Sequence, residues 1–285
     1  MRRIGLALGV VVIAVAVMAV APQTPAQKLA FEVASIKASN PSANGGFIRP
    51  AGDRFTASNV PLKLLVVYAY QASDGSSFLD NQLFGGPEWL DKERFDVEAK
   101  AATEPGTLNE FRPMVQDLLA KRFKLMVHRE TRDLPVYNMI VEKSGLKNMK
   151  LSEDQSGAPG PSDSSKAPRG TPWMAGETSA SGTMLVLYGN AVPLARLATS
   201  LQGLVQRPVI DRTNLNGFFD FRIRLSPQAI PAFPDRVPTT DGLPTAPSDH
   251  PLIPILQEEF GLKLQPGKGP VEVLVIDSVS RPTEN

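Results

Sequence analysis

The chain has 285 residues, with 30 basic and 29 acidic side chains and a formal net charge of +1. That balance gives no electrostatic reason to expect nucleic acid or an anionic membrane surface as partner. It has no cysteine, which excludes a disulfide framework, a thiolate metal site and a lipid-modified cysteine behind a leader.

Arg2 and Arg3 precede an almost unbroken apolar run over residues 4–20, and Thr24-Pro25-Ala26 then offers the small residues that a signal peptidase reads. We expect residues 1–26 to be a signal peptide cleaved after Ala26. The product is then exported, periplasmic or secreted, with no stable membrane insertion. Loss of Arg2 and Arg3 leaves 28 basic against 29 acidic residues. The alternative is an uncleaved anchor, because a span needs at least ~17 apolar residues.

Phe31-Glu32-Val33-Ala34-Ser35-Ile36-Lys37 alternates and reads as an opening strand. Residues 40–52 are rich in Asn, Ser, Gly and Pro and read as a loop, and 54–57 as a short strand. In Asn59-Val60-Pro61-Leu62, Asn59 is expected to cap a helix and Pro61 to occupy its first turn. Leu62, Leu65, Val66 and Ala69 then form one apolar stripe. Residues 71–90 are an excursion containing Asp74-Gly75, a turn signal, and Gly85-Gly86-Pro87-Glu88-Trp89-Leu90. A strand follows, with Phe95, Val97 and Ala99 on one face and Asp96 and Glu98 on the other. Phe111, Met114, Val115, Leu118 and Leu119 stripe a second helix. Strands are expected over 124–128 and 135–142, with the mixed charges Arg129-Glu130-Thr131-Arg132-Asp133 at a hairpin tip between them.

Much of this order returns. Asn190-Ala191-Val192-Pro193-Leu194 repeats the helix start, and Leu194, Leu197, Ala198, Leu201, Leu204 and Val205 repeat its stripe. Phe219-Asp220-Phe221-Arg222-Ile223-Arg224-Leu225 repeats the Phe-Asp strand. Leu252, Ile255, Leu256 and Phe260 repeat the second helix, and strands over 263–265 and 270–277 close the copy. The sequence therefore predicts an α+β protein of two tandem βαββαββ-like repeats, each a small sheet packed on a helix pair. The first repeat, with its N-terminal strand, covers 27–150. A flexible linker covers 151–182, and the second repeat covers 183–285 with a Pro-rich insert at 227–251. Roughly ninety residues suffice for each small core, and the two sheets can also pack into one pseudo-symmetric body. Both linkers lack the apolar surface to offset their ordering entropy. Trp173 in Pro172-Trp173-Met174 is the exception, a side chain that docks back on the fold or meets a partner.

No catalytic, cofactor-binding or metal-ligating set stands out. His128 and Glu130 share a strand face, but a closed metal site wants about four ligands. The other histidine, His250, lies in the Pro-rich insert. A Ser-His-Asp arrangement would have to use one of these two, and no nucleophile-elbow pattern is present. No phosphate-binding glycine motif follows a strand. Asp74, Asp80, Glu88 and Asp91 surround Trp89, whose ring can stack on a sugar, so a polysaccharide-binding or polysaccharide-cleaving surface is the alternative function. Glu88, Trp89, His128 and Arg129 are the candidate binding surface.

Several of these stretches resemble an exported, acidobacterial (Solibacter-type) family of unknown function. They are residues 31–37, Gly85-Gly86-Pro87-Glu88-Trp89-Leu90, 94–100, 117–125, His128-Arg129-Glu130-Thr131, Leu134-Pro135-Val136-Tyr137, 271–277 and the ending Arg281-Pro282-Thr283-Glu284-Asn285. The resemblance brings no activity or catalytic residues with it, and some family members are joined to membrane metallopeptidases of the antibiotic-sensor type. Each half, best in Val192-Pro193-Leu194-Ala195-Arg196-Leu197 and Ile255-Leu256-Gln257-Glu258-Glu259-Phe260-Gly261-Leu262, is also similar to the short N-terminal domain of secretins and TonB-dependent receptors. That similarity implies a non-enzymatic docking or sensory module at the cell envelope, without cofactors. Its partner would be an envelope protein: a receptor, a secretin or a membrane metallopeptidase.

Overall fold

In the computed structural model, which describes residues 29–40, 45–156, 168–179, 182–225 and 250–282, the alternating segments become strands with one dry face. Along β5 (Arg94–Ala101), Phe95, Val97, Ala99 and Ala101 are buried while Glu98 and Lys100 reach solvent. Along β11 (Phe219–Leu225), Phe219, Phe221, Ile223 and Leu225 are buried while Arg222 and Arg224 are exposed. Each strand lies inside a four-stranded antiparallel sheet. The first runs β1 (Phe31–Ala38), β5, β3 (Arg54–Pro61), β2 (Phe47–Ala51). The second runs β7 (Met149–Leu151), β11, β9 (Gly182–Val192), β8 (Trp173–Ser179).

The helical stripes close these sheets. Leu62, Leu65, Val66 and Ala69 of α1 (Leu62–Ala69) and Phe111, Met114, Val115, Leu118 and Leu119 of α3 (Phe111–Arg122) are the buried residues of their helices. They share one core with Phe55, Phe95 and Val97. Leu194, Leu197, Ala198 and Leu201 of α4 (Leu194–Val205) and Leu252, Leu256 and Phe260 of α5 (Leu252–Phe260) share a second core with Phe219, Phe221 and Ile223. Burial of each such aliphatic or aromatic side chain stabilises the fold by ~1.5–3 kcal/mol before ordering entropy.

A third sheet, ordered β10 (Val209–Asp211), β6 (Met126–Val141), β12 (Leu262–Ser278), β4 (Leu83–Gly85), ties the two cores together. β6 and β12 run antiparallel from Met126 opposite Ser278 to Val141 opposite Leu262. β10 and β4 add short parallel pairings at opposite ends of this ribbon. Leu274 and Ile276 of β12 enter the core of α1 and α3, and Tyr137 and Met139 of β6 enter the core of α4 and α5. Each core thus needs a strand that leaves the other helix pair. The molecule is α+β: three small sheets with helices packed against the outer two.

Four local expectations are corrected. First, the paired short strands are single long strands, and Arg129-Glu130-Thr131-Arg132-Asp133 lies in mid-ribbon rather than at a hairpin tip. Prolines stand at the expected breaks, yet here they fit. Tyr137 turns its N–H outward to the Pro208 carbonyl at 2.8 Å. By antiparallel alternation Pro135 turns its nitrogen the same way, as do Pro266 opposite Tyr137 and Pro270 opposite Asp133. Second, Asn59 does not cap α1, which starts after an extended Pro61 without a side-chain cap. Third, part of the loop over 40–52 is β2, and part of the linker over 151–182 is β8, so Trp173 sits on an edge strand, 48% exposed. Fourth, His250 is buried just ahead of α5, where its Nδ1 accepts the Leu252 N–H at 3.2 Å. Burial lowers the pKa of this imidazole below the ordinary histidine value, the Leu204 backbone acting in the opposite sense. The expected signal peptide and the rest of the Pro-rich insert lie outside the described residues.

Candidate functional site

Asn59 and Ala191 show how each outer sheet is held at an equivalent point. Both have positive φ, 52° and 48°, and both lie where the strand register slips, between Ala57 and Val60 and opposite the step from Phe219 to Phe221. The aspartate of each Phe-Asp pair clamps the bulge: the Asn59 N–H donates to Asp96 Oδ1 at 2.7 Å and the Ala191 N–H to Asp220 Oδ1 at 2.8 Å. Burial alone would raise the Asp96 carboxyl. Hydrogen bonds from the Asn59 N–H and from the Ser39 and Ser58 hydroxyls outweigh it and hold the group below its ordinary value. These aspartates are structural clamps.

The four residues of the expected binding surface do not converge. Trp89 begins α2 (Trp89–Lys92), packs edge-on against Phe95 with centroids 6.5 Å apart, and carries the Arg281 guanidinium 5.1 Å from its ring centroid. Glu88 pairs with Lys92 at 2.7 Å on the surface. His128 Nδ1 lies 2.8 Å from Asp277 Oδ1. Arg129, one residue on and therefore on the other face of β6, pairs with Glu272 and stands over the Phe78 ring. Burial pushes the Glu272 carboxyl up, but the Ser73 N–H and Arg129 outweigh it and keep it below its ordinary value.

The acids of the excursion are spent on structure as well. Asp80 and Asp91 flank Lys63 at 3.2 and 3.1 Å. The Asp74 carbonyl accepts Arg196 Nη1 at 3.0 Å and its carboxylate accepts the Thr199 hydroxyl at 3.3 Å, so this loop braces α4. Among the described residues no cluster of three or more His, Cys, Asp and Glu is placed to hold a metal ion.

The concave surface lies elsewhere, along one edge of β11. β7 pairs only with Phe219, Asp220 and Phe221, and beyond Phe221 no strand among the described residues lies on that side of β11. A groove of about 580 Å³ follows, lined by Arg222, Ile223 and Arg224 of β11, Ile255, Glu259 and Phe260 of α5, Met184 of β9, and Asn148. A second concavity of about 500 Å³ adjoins it around Met149, Lys150, Gly189 and Asp220, sharing Asn148 and Arg222. The Ser152 N–H donates to the Phe218 carbonyl at 2.8 Å. By ladder alternation the backbone groups of Arg222 and Arg224 therefore also face this side.

The groove is charged at its rim and apolar at its base. Arg222 is held by Glu177 at 2.5 Å, and the Tyr188 hydroxyl bonds the same carboxylate. The guanidinium and the hydroxyl keep Glu177 below its ordinary value, and Glu177 in turn raises Arg222. Arg224 makes no side-chain hydrogen bond or close ion pair among the described residues, although its charge also acts on Glu177. Glu259 receives the Asn148 amide at 3.2 Å. Ile223 and Phe260 are buried at the base, while Met184 is 36% exposed.

None of the groove residues was among the expected binding residues. The signal was nonetheless present: Ile36-Lys37-Ala38 ends a full strand, whereas Met149-Lys150-Leu151 follows Gly145 and Asn148, both at positive φ.

A family model, described as protein of unknown function (DUF3738), matches residues 63–279, and the chain belongs to that family. Comparison with curated proteins and with solved structures returned no match.

Proposed function

We propose that this chain is an exported, non-enzymatic docking module of the cell envelope, built from two repeats of one βαββαββ-like plan. The observation that carries the docking role is the edge of β11 left unpaired among the described residues, beside a groove with a charged rim and an apolar base. Backbone donors and acceptors in that position, with side-chain pockets next to them, are what strand addition uses. Exposed edges are otherwise shielded in soluble proteins because they invite pairing.

Support for the repeat comes from matching features rather than from overall likeness. Both halves contain a strand hairpin, a Pro-Leu helix start, an aspartate-clamped bulge, a short strand pairing parallel to a long one, and a second helix feeding a long strand. Lys124 and Gly261, with φ of 52° and 64°, stand at the same place between helix and long strand. The partner we propose is an envelope protein, whether receptor, secretin or membrane metallopeptidase, and the compartment is the one implied by the leader.

Photo-crosslinking in the native host tests this reading. A photoreactive residue replaces Met184 or Ile255, with Thr107 on the distant surface as control. One envelope protein captured at both groove positions and absent from the control is the expected result. No capture above background at any position would overturn the docking role.

A further inference from the structure

The first outer sheet holds, within this same chain, a template for what fills the groove. Resting on the docking reading, we infer that the β11 edge accepts one extended peptide strand from a partner protein, antiparallel to β11, with acidic side chains alternating with apolar ones.

On β5 the corresponding edge is fully covered: Lys37, Ser35 and Val33 of β1 stand opposite Asp96, Glu98 and Lys100. In the second sheet, Lys150 stands opposite Asp220 as Lys37 does opposite Asp96, and Met149 opposite Phe221 as Ile36 does opposite Val97. There the covering strand stops. Arg222, Ile223 and Arg224 occupy the places of Glu98, Ala99 and Lys100, and among the described residues no strand lies beside them on the side away from β9.

The chain leading into β7 cannot supply it, because it is tied to the end of α5. The Lys147 N–H donates to the Phe260 carbonyl at 2.9 Å, and the Asn148 amide donates to the Glu259 carbonyl at 2.9 Å. Gly261 locks this further, since a Cβ there would sit 1.9 Å from the Gly145 carbonyl oxygen.

The chemistry of the missing strand follows from its neighbours. Its inward side chains meet Ile223, Ile255 and Phe260, so they are apolar. On β1 the residue at the place facing Ile223 is the half-buried Ala34, and Phe31, further along, packs on Phe55 and Phe111. Its outward side chains stand directly across from Arg222 and Arg224, and opposite charges directly across an antiparallel pair stabilise it. Arg222 already has Glu177, so the acid opposite Arg224 decides specificity. Two such arginine edges brought together would repel, which argues against a second copy of this chain as the occupant.

The test titrates the full mature chain with capped heptapeptides of alternating valine and aspartate, or of alternating valine and lysine, read by fluorescence anisotropy. The aspartate peptide should bind at least ~10-fold more tightly, a difference of about 1.4 kcal/mol. Arg224→Glu should reverse the preference while leaving the urea midpoint unchanged, and N-methylation of the peptide backbone on the edge-facing side should abolish binding. Equal binding of the two peptides, or no binding of either, overturns the inference. Binding that emerges only after residues 228–247 are excised, or a dimer that forms in place of the peptide complex, overturns it in favour of another occupant. If the photo-crosslinks reach an envelope protein while the aspartate peptide fails, the docking role stands and this inference alone falls.

Discussion

The two outer sheets share a plan and differ at one edge. In the first, the eight residues of β1 (Phe31–Ala38) cover β5 from end to end. In the second, the three residues of β7 (Met149–Leu151) cover β11 only to Phe221. The bulge, clamp, helices and long strand are otherwise alike. The difference teaches where freedom lies in such a fold: a covering strand contributes to the core in one half, and where it stops the other half leaves an edge uncovered among the described residues. Edge strands that are unpaired and not otherwise shielded carry a cost in aggregation risk, so an edge left open beside a shaped groove points to use.

That contrast makes quantitative demands. Ile36 is buried at the covered edge whereas Met149, at the matching register, is half-buried. Ile36→Ala should therefore destabilise by about 3 kcal/mol and Met149→Ala by about 1 kcal/mol, measured by urea unfolding. Equal losses would mean that β7 serves its sheet as fully as β1 serves the other.

The two helix exits sharpen the comparison next. Gly261→Ala should cost about 3 kcal/mol, because the new methyl collides with backbone and the residue keeps a positive φ. Lys124→Gly, at the exposed counterpart, should stabilise by about 1 kcal/mol by removing left-handed strain. Thermal or urea midpoints moving in the same direction for both would break the equivalence of the two exits.

The clamps give a smaller effect that depends on pH. Asp96 accepts from one N–H and two hydroxyls, while Asp220 accepts the Ala191 N–H. Asp96→Ala should cost about 2 kcal/mol and Asp220→Ala about 1 kcal/mol. The folded pKa of Asp96 is depressed, so its stabilisation is complete above the unfolded value of about 3.9 and is lost as pH falls through the lower folded value. Urea midpoints taken from pH 6 down to pH 3 should fall less steeply for Asp96→Asn than for the wild type. Parallel curves would remove the clamp from the account.

Much of the scaffold was legible in the sequence because it rests on period. The stripe of α1 and the alternation of β5 and β11 fix which side chains are dry, and both were readable residue by residue. The long ribbon was not: the expected short strands stop and restart where Pro135, Pro266 and Pro270 stand. Their compatibility depends on which way each nitrogen points in a ladder that forms only across the molecule. Asn59 was misread for a related reason. An asparagine before a helix suits a cap, but here it adopts positive φ in a bulge whose partner, Asp96, is distant in sequence. The proposed binding surface was hardest to read. Charged residues near Trp89 drew attention, yet most of them pair with nearby cations. The groove instead arises from a strand that is short, and a missing strand is visible only when the two halves are laid side by side.

Amide hydrogen exchange on the free chain tests the central claim most directly. The backbone N–H groups of Glu98 and Lys100 face β1, and those of Arg222 and Arg224 face the open edge. The account predicts slow exchange at Glu98 and Lys100, with Arg222 and Arg224 exchanging far faster until a strand-forming peptide is added. Equally slow exchange at all four in the free chain would contradict it, because the β11 edge would then already be paired.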